Sequence, residues 1–374
     1  MALDQINVGI IGTGWCGGIR ANSCADNPLI DQLHIAEINP QRLEEVAKST
    51  GAISATAEYE YIVKHEDIDA VFISATPETT HYPMAKECLL AGKHVFLEKP
   101  IALTLGEADE LIVIAKQKKL KFTIGYSQRF SPKYAYVKKC IEDGTIGEPV
   151  SALVSRHITR SLGKKITGRI KLSPASMEAT HDLDFVLWCL APARPIRVYA
   201  QAVEKVMVKE VNASDCMWIT ITMDNGVAFV VGAGWILPPG YPNFSTTWIE
   251  MVGSEGALLV DDSHKDVTLN TMKDGIQFPM SSMPGESVGH VFSGAMANET
   301  IHFVDAVARD RPVLVTPEEA REEREALAEV RRLQEEERRK KMEEERAAEE
   351  EKARAERAEK REAQKPFVDA AIAA

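Results

Sequence analysis

The chain has 374 residues, 45% of them hydrophobic and 6% aromatic, with a formal net charge of −12. That length implies two domains with room for an appendage, and the acidic balance argues against a nucleic-acid partner or an anionic-membrane surface. No apolar run approaches the ~18 residues that span a bilayer. The opening residues, MALDQINVGIIG, lack a basic n-region and pass straight into a strand pattern, so a cytoplasmic protein without a signal peptide is expected.

The first apolar run, INVGII (6–11), is followed by G-T-G-W-C-G, in which Gly12, Gly14 and Gly17 form G-x-G-x-x-G around Thr13, Trp15 and Cys16. After a strand and before a helix, this spacing points to a dinucleotide site. The first glycine makes the tight turn, the second lets the backbone approach a pyrophosphate, and the third lets helix pack on strand. The next strand, LHIAEINP, brings Glu37 to 20 residues beyond Gly17, where a carboxylate accepts from the adenosine ribose hydroxyls and repels a 2′-phosphate. NAD is therefore expected, with Arg42 keeping NADP open. Helix 41–50, strand DAVFISA (69–75), helix HYPMAKECLLAG (81–92), strand HVFLEKP, a helix over 105–118 and strand LKFTIGY (120–126) continue the alternation. It predicts a parallel, doubly wound sheet whose carboxyl edge carries Thr76-Pro77, Glu98-Lys99-Pro100 and Ser127-Gln128-Arg129.

After about residue 145 the pattern changes to alternating segments, VSALVSRHIT (150–159), IRVYAQAVEKVM (196–207) and CMWITITMDNGVAFVVGAGW (216–235), with Asp224-Asn225-Gly226 as a hairpin turn. These predict a mainly antiparallel open sheet, interrupted by a helix at HDLDFVLWCL (181–190). The expected division is a dinucleotide-binding domain over 1–125, a substrate and oligomerisation domain over 126–317, and a charged extension over 318–374. The extension is rich in Glu, Lys and Arg, with Glu336–Lys340, Glu337–Lys341, Glu350–Arg354 and Glu356–Lys360 at i,i+4. It reads as a long solvated helix or one partly disordered, with a coiled coil as the alternative. Six cysteines (Cys16, Cys24, Cys88, Cys140, Cys189, Cys216) lack CxxC spacing, which fits free thiols and no metal site.

Over about residues 6–320 the sequence resembles the Gfo/Idh/MocA family of pyridine-nucleotide oxidoreductases. The resemblance rests on the glycine fingerprint, ATPETTHYPMAKECLLAGKHVFLEKP (75–100), GYSQRF (125–130), HDLDFVLW (181–188) and FVDAVARDRPVLVTPEEA (303–320). It implies a Rossmann domain joined to an α/β domain whose open sheet serves as a homodimer or homotetramer interface, and oxidation of a secondary alcohol of a sugar, cyclitol or related polyol. It also implies that Lys99 of the EKP motif and His181 are the catalytic residues, that the Lys99-Pro100 bond is cis, and that Glu98 and His81 lie beside the cofactor. Hydride transfer requires the hydroxyl to lose its proton, and Lys99 beside an oxidised nicotinamide suits that task, as does an imidazole of ordinary pKa.

Two departures stand out. Family members commonly carry Asp four residues before the histidine, where this chain has Met177 between Ser176 and Glu178. The charged tail has no family counterpart. Substrate contacts are expected from Glu178, Arg156, His157, Trp235 or His290, and the segment 157–178, with Arg160, Lys164, Lys165, Arg169 and Lys171, reads as a solvated basic loop, with attraction of an anionic substrate as the alternative. Arg129 is expected to form an ion pair between domains. Two further readings are a nucleotide-binding sensor that uses the tail as a partner-binding arm, and reduction or elimination chemistry on an activated sugar.

Overall fold

The computed structural model describes residues 5–372, apart from 171, 244, 264–265, 280–284 and 290; in the last helix it describes side chains to 357, without 341. Six short strands form a parallel sheet: β1 (Ile6–Ile11), β2 (Ile30–Ala36), β3 (Ser54–Thr56), β4 (Ala70–Ile73), β5 (His94–Glu98) and β6 (Phe122–Gly125). Their order, β3-β2-β1-β4-β5-β6, is doubly wound, with the switch point between β1 and β4. The helices between them are α1 (Trp15–Ala25), α2 (Pro40–Thr50), α3 (Tyr59–Lys64), α4 (His81–Leu90) and α5 (Leu105–Lys118). All four residues of β4 are fully buried, so the strand reads as continuously apolar. Local chemistry sets the helix ends. Asn39 accepts from the amides of Gln41 and Arg42 to cap α2, and Thr104 with Glu107 closes a capping box on α5. The short β3 and α3 were not expected, because neither is long enough to show a period.

The second sheet contains β7 (Pro149–Thr159), β8 (Pro195–Val203), β9 (Cys216–Met223), β10 (Ala228–Leu237), β11 (Ser245–Gly253) and β12 (Ala257–Asp261), in the order β12-β11-β7-β10-β9-β8. Its neighbours are antiparallel except β7 and β10. The Asp224-Asn225-Gly226 turn joins β9 to β10, with Gly226 at φ +87°. Helices α6 (Pro132–Glu142), α7 (Arg160–Arg169), α8 (Thr180–Leu190) and α9 (Met207–Val211) accompany it. Val154, Ile219, Ile221, Phe229 and Ile249 of one sheet face pack on Leu183, Phe185 and Val186 of α8. Two expectations change here. Segment 157–178 is not a loop, since it carries α7 and a π-helical turn at Ala175–Ala179; and the strand expected over 196–207 ends at Val203, with Met207 opening α9.

Two late helices close the molecule. α10 (Ala295–Ala308) returns to the first sheet, where Phe303 packs on Phe72 and Phe96 at centroid distances of 5.2 and 5.8 Å. The division expected over 126–317 therefore does not hold for α10, whose apolar stripe completes the first domain. α11 (Pro317–Ile372) begins inside the body rather than as an extension: Ala320 packs in the first domain's core, and Ala326, Leu327 and Val330 in the second's. From Arg339 onward its described side chains are exposed. The ion pairs along α11 include Arg331–Glu335, Arg332–Glu336 and Arg346–Glu350, which run from Arg to Glu, opposite to the expected Glu-to-Lys order. Among the described residues no helix is long and apolar enough to cross a membrane.

Candidate active site

The six parallel strands end on one edge, where the glycine-rich turn joins β1 to α1. Gly12 adopts φ +80°, and a Cβ on Gly17 would lie 1.8 Å from the Gly12 carbonyl oxygen, so neither position admits another residue. Gly14 faces open space, with nothing within 4 Å of where its Cβ would be. Trp15 beside it is 64% exposed, and Thr76 and Pro77, joined by a cis bond at the end of β4, are exposed as well. These residues leave a bare ledge at the amino end of α1, where free amides and the helix dipole suit a pyrophosphate.

The residues around the ledge hold its shape. The Thr13 side chain is fully buried, and its amide and hydroxyl donate to Glu37 Oε2 at 2.6 and 3.1 Å. The other Glu37 oxygen accepts from the Asn39 amide at 2.9 Å. The carboxylate is thus fixed, half-buried, beside the turn, with lone pairs left for ribose hydroxyls. Arg42, the residue that kept NADP open, is already committed: Nε donates to the Thr13 carbonyl at 2.7 Å, and the guanidinium pairs with Glu45. His81 is 2% exposed, with its ring nitrogens 3.0 and 3.1 Å from the carbonyls of Pro100 and Ala75. Burial lowers its pKa, against the pull of the Pro100 carbonyl. Its ring ties the β4 and β5 loops together from behind. Burial, then the Glu98 carboxylate, pushes the Cys16 thiol up to about 12 and keeps it protonated.

Lys99 follows β5, and its bond to Pro100 is cis. Its Nζ donates to the Met177 carbonyl at 3.0 Å, crossing from the first domain to the π-helical turn of the second. A main-chain carbonyl therefore anchors the ammonium, while the Met177 side chain packs with Ile158, Met207 and Trp235. His181 sits nearby at the start of α8, with its ring edge-on to Tyr126 at 6.2 Å. Burial holds its imidazole well below the usual range, and the charges of Lys99 and Arg156 add to the effect. The ordinary imidazole pKa expected for proton transfer is thus absent; His181 is a neutral hydrogen-bonding group at physiological pH. Behind Lys99, Glu98 accepts from Arg20, whose fully buried guanidinium also donates to Glu299 at 2.6 Å, to the Met296 carbonyl and to Thr300.

Several expected substrate contacts are taken up elsewhere. Arg156 is buried and forms two bonds to Asp182, at 2.7 and 2.8 Å, so it holds α8 to β7 and does not offer its charge to a ligand. His157 lies on the other sheet face, edge-on to Trp218, because adjacent residues of a strand point to opposite sides. Trp235 is 0% exposed and donates to Glu178 at 3.2 Å, which leaves half-buried Glu178 as the polar group that π-helical turn presents and puts the indole behind it. His290 and Lys171 lie outside the described residues. Lys164 is paired with Glu210, and Arg169 with Glu78 of the β4 loop, so two of the basic residues in 157–178 are already neutralised. Arg129 is bidentate to buried Asp184 at 2.6 and 2.9 Å, an ion pair within the 126–317 division and not the one between domains that was expected. With its amide oriented to suit its neighbours, Gln128 donates to the His181 carbonyl at 2.7 Å. Among the described residues no group of three or more His, Cys, Asp or Glu could hold a metal ion.

The family model described as "Oxidoreductase family, NAD-binding Rossmann fold" matches residues 6–126, and that of the GFO/IDH/MocA C-terminal domain matches 134–259. The chain is 26% identical over 321 residues to an uncharacterized oxidoreductase of Bacillus subtilis, covering 82% of this chain and 88% of that protein. It is also 26% identical over 317 residues to the scyllo-inositol 2-dehydrogenase (NAD(+)) of the same organism, covering 83% and 89%. Among solved structures, scyllo-inositol dehydrogenase from Lactobacillus casei with bound NAD(H) and scyllo-inositol superposes with a TM-score of 0.74 at 22% identity, over 88% of this chain and 96% of that one.

Proposed function

The chain belongs to the Gfo/Idh/MocA family of oxidoreductases, and from that premise we propose that it oxidises a secondary alcohol of a sugar, cyclitol or related polyol to a ketone. Its cofactor is NAD, which takes the hydride at the nicotinamide. The observation that carries the reading is the Lys99–Met177 bond across the two domains, beside a neutral His181. In its unprotonated form Lys99 Nζ accepts the hydroxyl proton as the carbinol hydride leaves. His181 holds the hydroxyl oxygen in line, and Glu178, steadied by Trp235, accepts from a second hydroxyl.

The test is NADH formation with myo- and scyllo-inositol, aldoses, sugar acids and nucleotide-linked sugars, with NADP assayed in parallel. Turnover on one polyol group, faster with NAD, is expected, because Glu37 is fixed by Thr13 and Asn39 while Arg42 is committed. NAD binding without turnover on any of them would refute the dehydrogenase reading.

The open face of the second sheet is read as the contact between copies of the chain. Trp218, Gly232, Ser155 and Trp248 are cross-strand neighbours in one row, and glycine at 232 lets the Trp218 indole lie flat on the sheet. With Leu153 and Leu259 this face exposes an apolar patch of the kind that marks an interface. The double variant Trp218→Glu, Trp248→Glu is expected to sediment at the 41.3 kDa mass of one chain, and the wild type at a multiple of it. Equal masses would remove the sheet from the interface.

A further inference from the structure

We infer that Glu323, on the C-terminal helix α11, is a positioning residue for His181. The inference rests on the reading of His181 as a group that meets the substrate. The His181 ring is not held by hydrogen bonding at Nδ1: that atom is buried and has no partner among the described residues. Its aromatic neighbour is Tyr126, which meets it edge-on at 6.2 Å and an interplanar angle of 88°. The tilt of the imidazole therefore depends on where the Tyr126 ring stands.

Glu323 fixes that ring. The Tyr126 hydroxyl donates to Glu323 Oε2 at 2.9 Å and lies 3.4 Å from Thr180 Oγ1. Thr180 is the residue before His181 and the first of α8. Tyr126 and Thr180 are 0% exposed and Glu323 is 1% exposed, so no water competes for these bonds. Arg324 beside it is also buried and spends its guanidinium on the Leu103 carbonyl at 2.7 Å, which holds this turn of α11 against the first domain. A leucine at 323 would fill the space without burying a carboxyl group; what it could not do is accept from Tyr126. One end of the phenol is thus tied to α11 while its ring edge sets the imidazole, which links the helix that carries the charged tail to the group proposed to orient the hydroxyl.

The experiment compares Glu323→Leu, Glu323→Gln and Tyr126→Phe, reading kcat, KM, NAD affinity and the His181 ring signals by NMR. Glu323→Leu is expected to lower kcat on the order of 10- to 100-fold, the scale of a misplaced reacting group, with NAD affinity unchanged. Glu323→Gln restores most of it, since the amide oxygen also accepts from the phenol. Tyr126→Phe matches the leucine variant, and combining the two costs no more than either alone. The His181 signals shift and broaden in Glu323→Leu and Tyr126→Phe but not in Glu323→Gln. Wild-type kcat with unmoved His181 signals in the leucine variant overturns the inference, as do losses that multiply in the double variant. The NMR signals need no substrate, so they decide the matter even if no polyol turns over, an outcome that counts against the dehydrogenase reading instead. Should the leucine variant fail to fold, Tyr126→Phe carries the same test.

Discussion

Replacing Lys99 by methionine is expected to lower kcat by about 10²- to 10⁴-fold while NAD binds as before, the range lost when a positioned general base is removed. The lysine is a polar group that reaches from the carboxyl edge of the first sheet into the second domain, 3.0 Å from the Met177 carbonyl, and the imidazole beside it is kept neutral by burial. No carboxylate among the described residues pairs with Lys99, and the nearest one the turn presents, Glu178, is engaged by Trp235. A second variant separates the two jobs of the ammonium. Arginine keeps a positive charge and can donate to the Met177 carbonyl, but it does not give up its proton near neutral pH. If Lys99 is the base, Lys99→Arg will be nearly as inactive as Lys99→Met. If it only holds the hydroxyl, Lys99→Arg will retain most of the rate, and the proton acceptor must be sought elsewhere. Steady-state NADH formation and calorimetric titration of NAD read both quantities.

The architecture was legible because its signals are local and periodic. INVGII, AVFI and HVFLE are buried on both faces and read as continuous apolar runs, and Gly12, Gly14 and Gly17 have spacing that only a turn into a helix explains. The positions of Lys99 and His181 were legible for the same reason, since each lies at the end of a recognisable element. The partners of the site were not. The absent acid at Met177 looked like a missing group, yet the anchor of Lys99 turned out to be that residue's carbonyl, which every residue type carries and no sequence pattern marks. Arg156 and His157 both have the residue type of a substrate contact, although strand alternation alone forbids both from facing one site. Trp235 had the residue type of a ligand contact, and only its complete burial rules this out. Glu323 was hidden inside a run of charges whose first turns are buried and whose later turns are solvated. Composition cannot distinguish those turns, because the difference lies in what α11 packs against.

Arg20→Met is expected to destabilise the fold by roughly 3–5 kcal/mol, the cost of stripping the partner from buried charge. Arg20 is 0% exposed and serves Glu98 at 2.9 Å and Glu299 at 2.6 Å, with its guanidinium 4.3 Å above the Phe96 ring. Both Arg20 and Glu299 could have been suspected from sequence, as lone charges on otherwise apolar stripes: Arg20 lies four residues from Cys16 and from Cys24, and Glu299 stands between Met296 and Phe303. One cation shared by two carboxylates leaves a surplus of negative charge. Burial, with Glu98 adding to it against the pull of Arg20, moves the Glu299 pKa from 4.5 to about 8. A folded-state pKa above the unfolded one means the native state holds the proton more tightly. That contribution is complete below pH 4.5 and fades as pH rises through about 8, at up to about 1.4 kcal/mol per pH unit. Glu323, raised to about 7 chiefly by burial, contributes with the same sign, so the Glu299 share is isolated by Glu299→Gln, which should flatten the decline. Thermal unfolding from pH 5 to pH 9 measures both effects. In Arg20→Met the deficit should widen toward pH 9, where Glu299 must either ionise without a partner or keep a proton that the unfolded chain has released, and shrink toward pH 5, where it stays protonated. Adding Glu299→Gln to Arg20→Met should recover much of the loss. A deficit that is the same at both ends would mean that Arg20 stabilises the domain by packing on Phe96 and not as the counter-ion that aligns Glu98 behind Lys99.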